Sequence, residues 1–182
     1  GAGELREEAL GQLGPALQRL TFAADGPGLI RSQERIALRY LVLGPEGALD
    51  RSVIQSVSLR SLVPDLPRWG SFRSSDDLLG RIYDAAAYTV QVCAQGYYED
   101  GVKRDTCLWS GDLRLAARMG YTAFADRDLA LRSLDALAAW RVHDGAIPPM
   151  VGHSYLLTDY VCWWVIALED YLLHTGDIAS VK

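Results

Sequence analysis

From Tyr160 to Leu172 the chain has no polar face broad enough to sit against water. Tyr160, Val161, Trp163, Trp164, Val165, Ile166, Leu168 and Leu172 run around nearly every side of the helix this spacing predicts. A surface helix needs only one apolar stripe, so a helix that is apolar all round is expected to be covered on more than one side. Few partners for it exist within 182 residues. The cover is expected from further helices of the same barrel-like body, beyond this sequence, or from a second copy of the chain in a homo-oligomer. No apolar run reaches the length of a membrane span, which removes a membrane-spanning reading.

Three more helices are read upstream. Ser75-Asp76-Asp77 has the composition of an N-cap, with side-chain oxygens for the free amides and carboxylates near the positive helix end, and predicts a helix from about Asp76 to Gln95. Leu78, Leu79, Ile82, Tyr83, Ala86 and Val90 recur at three and four residues and form its expected core stripe. A second helix is expected to start near Ser110-Gly111-Asp112. A third starts near Asp126, with Leu129, Ser133, Leu134, Leu137 and Ala138 inward, and the apolar fourth near Thr158-Asp159. Four antiparallel helices with long polar-aromatic loops after the first and third suggest an α/α toroid whose loops on one face make a site. No repeat of fixed period is visible.

The N-terminal part is different. Between Gln33 and Leu62, Ile36, Leu38, Tyr40 and Val42 alternate with Arg35, Ala37, Arg39 and Leu41, while Val53, Val57 and Leu59 share a face. Gly44-Pro45-Glu46-Gly47 is a natural turn between them. The expectation is a β-hairpin or the last strands of a β-sandwich, closed by Pro64, Pro67 and Gly70. Two domains are therefore expected: a β-rich segment with its linker over 1–70, and helical hairpins over 71–182.

A net charge of -5 excludes a nucleic-acid partner by the usual route, because phosphate binding needs clustered Lys and Arg. Cys93, Cys107 and Cys162 lie far apart and lack zinc spacing, so they are read as packing residues and no metal or cofactor is expected. The first residues, Gly1-Ala-Gly-Glu-Leu, have no Met, basic stretch or apolar core; no signal peptide is expected, and localisation stays open.

The most unusual stretch is Gly96 to Asp112, where Tyr97, Tyr98, Glu99, Asp100, Arg104, Asp105, Trp109 and Asp112 gather carboxylates and aromatics about one arginine. Carboxylates hold sugar hydroxyls through charge-assisted hydrogen bonds, and Trp or Tyr faces take the C–H face of a sugar ring. Glycosidic cleavage needs one carboxylic acid to protonate the leaving oxygen, and crowding acids raises the pKa of one of them. On the residues alone, a solvated acidic loop with Asp112 capping a helix remains open. A calcium site of Glu99, Asp100 and Asp105 also remains open, without the regular alternation of an EF-hand.

The segment resembles the signature of the α-L-rhamnosidase family: Asp, any three, Arg, an acidic residue, any three, Trp, any two, Asp. It fits without a gap at Asp100, Arg104, Asp105, Trp109 and Asp112. The resemblance extends to Arg68–Asp77, to Asp144-Gly-Ala-Ile-Pro148 and to His174-Thr-Gly-Asp177. It implies a partial (α/α)6 barrel, the first hairpins of a six-hairpin glycosidase, preceded by β-sandwich strands. The implied reaction is inverting hydrolysis of terminal α-L-rhamnosides, with a carbohydrate as partner. By position Asp105 is the general acid, while Asp100, Arg104, Trp109 and Asp112 line the sugar subsite. Asp159 with Trp163 resembles a second sugar-contacting cluster, although an N-cap followed by core aromatics is the alternative.

Two departures stand out. Many family members carry Glu where this chain has Asp105, and Gly101-Val102 replaces the family's Cys-Pro. The general base, a Glu far downstream in the family, is expected beyond Lys182, so this chain alone is expected to be inactive. His143, His153, Ser110 and Ser154 have no nucleophile or base context and are left outside the catalytic set. A non-catalytic carbohydrate-binding protein and a helical interaction scaffold are the competing readings.

Overall fold

The computed structural model describes residues 28–32, 35–38, 40–43, 54–103 and 105–181. The chain divides into two compact units, 1–35 and 36–182, and every helix described here belongs to the second. The described residues of the first unit have no regular secondary structure.

The helices form where their caps allow. Asp76 sits in extended conformation and accepts from the Leu78 amide at 2.8 Å, which starts α1 (Asp77–Cys93). The cap satisfies an amide that the first turn would otherwise leave unpaired. At the other end Ala94 leaves the helix and pairs with Tyr98, so that Gln95–Tyr97 turns the chain back. Helix α2 (Ser110–Met119) continues into a π-helical turn, Gly120–Phe124, which ends at Ala125 in left-handed conformation with φ 50°. Helix α3 (Asp128–Ala139) follows, and α4 (Thr158–Thr175) ends at Gly176, whose φ of 67° suits a residue without a Cβ. All four predicted helices are present, within a few residues of their expected starts.

Packing agrees with the periodicity in α3 and departs from it in α1 and α4. Leu129, Ser133, Leu134 and Leu137 are buried as expected. In α1 only Ala87, Val90 and Cys93 are buried, while Leu78, Leu79 and Ile82 of the predicted stripe are exposed. Only the C-terminal part of α1 enters the core. Helix α4 packs on α2 and α3. Arg114 and Asp170 bridge α2 to α4 at 2.9 Å, and the Trp164 indole donates to the Leu134 carbonyl at 3.2 Å. Its other flank leaves Val165 and Leu173 exposed, at 57% and 76%. The expectation of cover on more than one side is therefore met on one side only.

The β expectation is not met among the described residues, where no strand occurs over 35–38, 40–43 or 54–62. Alternation gives a strand only when a neighbour takes its backbone bonds and one of its faces. Here Tyr40, Val42, Leu59 and Leu62 are exposed instead. The turn at Gly44–Gly47 lies outside the described residues. Farther on, the Trp69 and Gly70 amides both donate to the Ala123 carbonyl at 2.9 Å, fixing the approach to α1 on the π-helical turn. A Cβ at Gly70 would collide with the Thr122 carbonyl, so this close approach requires glycine.

One polar network joins these elements. The Tyr98 hydroxyl donates to Asp126 at 2.8 Å, and the same carboxylate accepts from the Leu129 and Ala130 amides at 3.2 Å. The Tyr98 amide donates to Ser133 Oγ, which in turn donates to the Leu129 carbonyl. Tyr98 is fully buried. Gly120 lies beneath its ring, where a Cβ would strike the hydroxyl.

Tyr98→Phe is expected to cost about 1–3 kcal/mol, because it removes a buried hydroxyl from a carboxylate. Asp126→Ala should cost more, since the α3 cap goes with it. Urea unfolding of both single variants and the double variant should give clearly less than the sum, the mark of one network.

Burial, and then the nearby Asp126, raise the Tyr98 and Tyr121 phenols well above the ordinary value of 10.0. Below that value both folded and unfolded chains hold these protons. Above it the unfolded chain releases them first, so stability should fall as the pH rises past 10. Urea midpoints at pH 9 and 11 should converge in a Tyr98→Phe/Tyr121→Phe variant; an unchanged gap would contradict the assignment.

Candidate active site

The loops after α1 and after α3 lie at one end of the helical body, because they connect alternate pairs of antiparallel helices. They are tied together by backbone. Trp109 pairs with Met150 in an antiparallel bridge, Ser110 N–H donates to the Pro149 carbonyl at 2.8 Å, and Val151 N–H donates to the Leu108 carbonyl at 3.2 Å. Leu108, Ile147, Pro148 and Pro149 are buried beneath this ladder. The Asp144–Pro148 segment that the sequence singled out thus carries the second loop into place.

In the first loop the carboxylates gather around Cys107. Asp100 accepts from the Cys107 amide at 3.0 Å, and the Asp100 amide donates to the Cys107 carbonyl at 2.8 Å. The Cys107 thiol meets the Asp105 carbonyl at 3.0 Å. Burial, followed by the negative charge of Asp100, Asp105 and Glu99, pushes the Cys107 thiol up. Asp100 and Asp105 are half-buried, and Glu99 is buried. Between Asp105 and Cys107, Thr106 holds a φ of 52°, and its hydroxyl donates to the Asp105 carbonyl at 2.7 Å.

Trp109 opens the second half of the site. Its ring meets His153 at 6.5 Å in a stacked arrangement and Tyr160 at 5.7 Å edge-on, and His153 in turn meets Tyr155 at 5.0 Å. The indole N–H is buried without an acceptor among the described residues. Tyr160 is held from below: Ser110 Oγ donates to its carbonyl at 2.9 Å, and a Cβ on Gly111 would press on its ring. Burial, then the negative charge of Asp112 and Asp159, push the Tyr160 phenol up.

The structure therefore brings Asp100 and Asp105 together around Cys107, and Trp109 against Tyr160, on which the charge of Asp112 and Asp159 also acts. Trp163 lies beside Tyr160 at Gly111, and the Arg114 guanidinium lies over its ring at 5.0 Å within the α2–α4 packing. Arg104 lies outside the described residues. Among the described residues no His, Cys, Asp and Glu cluster could hold a metal ion, and no helix is long and apolar enough to cross a membrane.

Sequence reasoning left out His153 and read Tyr160 only as part of the apolar fourth helix. Neither adjoins Trp109 along the chain. Their place follows from the Trp109–Met150 pairing, for which the buried Pro148-Pro149 pair is the nearest local signal.

The helices thus pack as hairpins that bring an acid-rich loop and an aromatic loop to a common end. Residues 67–182 match the family described as the bacterial α-L-rhamnosidase six-hairpin glycosidase domain, and the chain belongs to that family. Among solved structures, a Klebsiella oxytoca rhamnosidase with rhamnose bound is 35% identical. It has a TM-score of 0.57, and the match covers 62% of this chain and 23% of that one. A family GH78 rhamnosidase of Bacillus sp. GL1 is 24% identical with a TM-score of 0.57, covering 65% of this chain and 12% of that one, and shares the fold. The chain thus spans less than a quarter of the length of either enzyme. No curated protein matches.

Alkylation tests the convergence of charge on Cys107. At pH 8, Cys107 should react with iodoacetamide more slowly than the exposed Cys162, and Asp105→Asn should speed it by lowering the thiol pKa. Peptide mass spectrometry over time reads both rates; an unchanged rate in Asp105→Asn would place that carboxylate's influence elsewhere.

Proposed function

We propose that this chain carries the acid half of a glycosidase that removes terminal α-L-rhamnosyl groups, or those of a closely related sugar. The observation that carries the reading is the gathering of Asp100, Asp105 and Glu99 around Cys107, close along the chain to an indole whose N–H has no acceptor among the described residues. A sugar hydroxyl would satisfy that donor, which otherwise costs roughly 1–3 kcal/mol. Membership of the rhamnosidase domain family, and the rhamnose held by the Klebsiella enzyme, favour a deoxy sugar of this kind.

In this reading Asp105 protonates the departing glycosidic oxygen. Asp100, Arg104, Trp109 and Asp112 hold the sugar, and Asp159 and Trp163 extend the subsite along α4. Inversion requires a second carboxylate roughly 6.5–9.5 Å from the acid, working on water at the opposite face of the ring. A later hairpin of an (α/α)6 barrel would bring that base and cover the exposed flanks of α1 and α4. The division at residue 70 between a sandwich-like segment and the barrel belongs to the same proposal.

The test is hydrolysis of an aryl α-L-rhamnoside by the protein together with the rest of its barrel. Asp105→Ala should lower kcat by at least about 100-fold, the scale of general acid catalysis, whereas Asp135→Ala on the exposed side of α3 should not. Full activity in Asp105→Ala would remove the acid role. Binding of L-rhamnose without turnover by the intact protein would favour the carbohydrate-binding alternative.

A further inference from the structure

Among the described residues of the acid loop, Thr106 alone holds a left-handed backbone without being glycine, at φ 52°. A β-branched side chain disfavours that region, which glycine enters freely. Elsewhere the chain uses glycine for positive φ, at Gly145, Gly152 and Gly176. Glycine would relieve the backbone here too. What threonine supplies and glycine does not is a hydroxyl.

That hydroxyl has a definite partner. It donates to the Asp105 carbonyl at 2.7 Å, and the Cys107 thiol meets the same oxygen at 3.0 Å. Two side chains, one from each of the next two residues, thus hold the peptide plane that follows Asp105. Farther along, the chain is closed on Asp100: the Cys107 amide donates to the Asp100 carboxylate at 3.0 Å, and the Cys107 carbonyl accepts from the Asp100 amide at 2.8 Å. Because the peptide unit is planar, fixing it on this side fixes ψ of Asp105 and with it the direction in which the side chain leaves the backbone. Aspartate has one side-chain torsion fewer than glutamate, so that direction decides more of where its carboxyl group sits.

We infer that Thr106 is a positioning residue for Asp105: its hydroxyl sets the peptide plane that aims the carboxyl group at the leaving oxygen. The inference rests on the glycosidase reading, in which the bond from the anomeric carbon to that oxygen breaks, the bonding pair stays with the oxygen, and the Asp105 proton joins it. The proton matters most when the leaving group would otherwise depart as an alkoxide, a strong base, and least for a nitrophenolate, a weak one. A misaimed acid is therefore selective in what it harms. Hydrolysis of an alkyl glycoside slows, while that of a nitrophenyl glycoside hardly changes. A loosened loop that merely bound the sugar less well would slow both alike.

The test uses the protein together with the rest of its barrel, with methyl and para-nitrophenyl α-L-rhamnosides as substrates. Thr106→Gly should lower kcat on the methyl glycoside about tenfold, part of the full worth of a general acid, and change kcat on the nitrophenyl glycoside by less than about twofold, with KM unaltered on both. Thr106→Ser keeps the hydroxyl and should keep the methyl glycoside rate. Asp105→Ala should show the same discrimination in stronger form. Urea unfolding separates a lost aim from a lost fold: Thr106→Gly should unfold at the parent's midpoint or above it, since glycine adopts this φ without strain, and a clearly lower midpoint overturns the inference. Equal loss on both substrates, no loss on either, or a serine variant that behaves like the glycine one also overturns it, and leaves the acid role of Asp105 standing. Absence of discrimination in Asp105→Ala removes that acid role and the inference with it.

Discussion

The hydrogen bond from Tyr98 to Asp126 is the contact on which the arrangement of this molecule turns. Tyr98 belongs to the acid loop, Asp126 caps α3, and Gly120 in the π-helical turn leaves room for the hydroxyl between them. A single carboxylate with three partners joins the loop, the turn and the third helix. The phenol stays protonated because it is buried beside that charge, and the carboxylate stays satisfied because the phenol and two amides face it. Removing either partner strands the other in the core, which is where buried polar groups cost most.

From that anchor the functional end is set by backbone rather than by side chains. The first loop leaves Tyr98, passes its acids, and pairs with the α3–α4 loop at Trp109 and Met150 before α2 begins. Residues held by a ladder keep their directions more closely than residues on free loops, and a site needs such directions fixed. Gly111 continues the effect into α4, since its missing side chain lets Tyr160 lie close against the start of α2.

How much of this was legible in the sequence depends on the range of the interaction that decides it. The helices and the α1 cap were legible because Asp76 and the α3 periodicity act within a turn or two of themselves. The acid loop was legible because its carboxylates and aromatics are close along the chain. The exposed faces of α1 and α4 were misjudged: an apolar stripe records that a helix is made to be covered, and says nothing of whether the covering residues lie in the same sequence. The β expectation is not met among the described residues, for the related reason that alternation needs a partner strand. His153 and Tyr160 were missed because only the pairing of two distant loops brings them to Trp109.

Thr106 connects this framework to the one unusual choice in the acid loop. A β-branched residue at φ 52° is a true outlier, and such conformations cost of order 1–3 kcal/mol unless their surroundings enforce them. Here they are enforced: the Thr106 hydroxyl holds the Asp105 carbonyl, the Cys107 thiol meets the same oxygen, and the Cys107 amide is fixed on Asp100. The strained residue directly follows Asp105, where many members of the family carry the longer Glu. An aspartate in the proposed acid role reaches about one C–C bond less far, and only the backbone can make up that distance. A left-handed residue immediately after Asp105, held on both sides by these bonds, fixes the course of the backbone that carries the proposed acid.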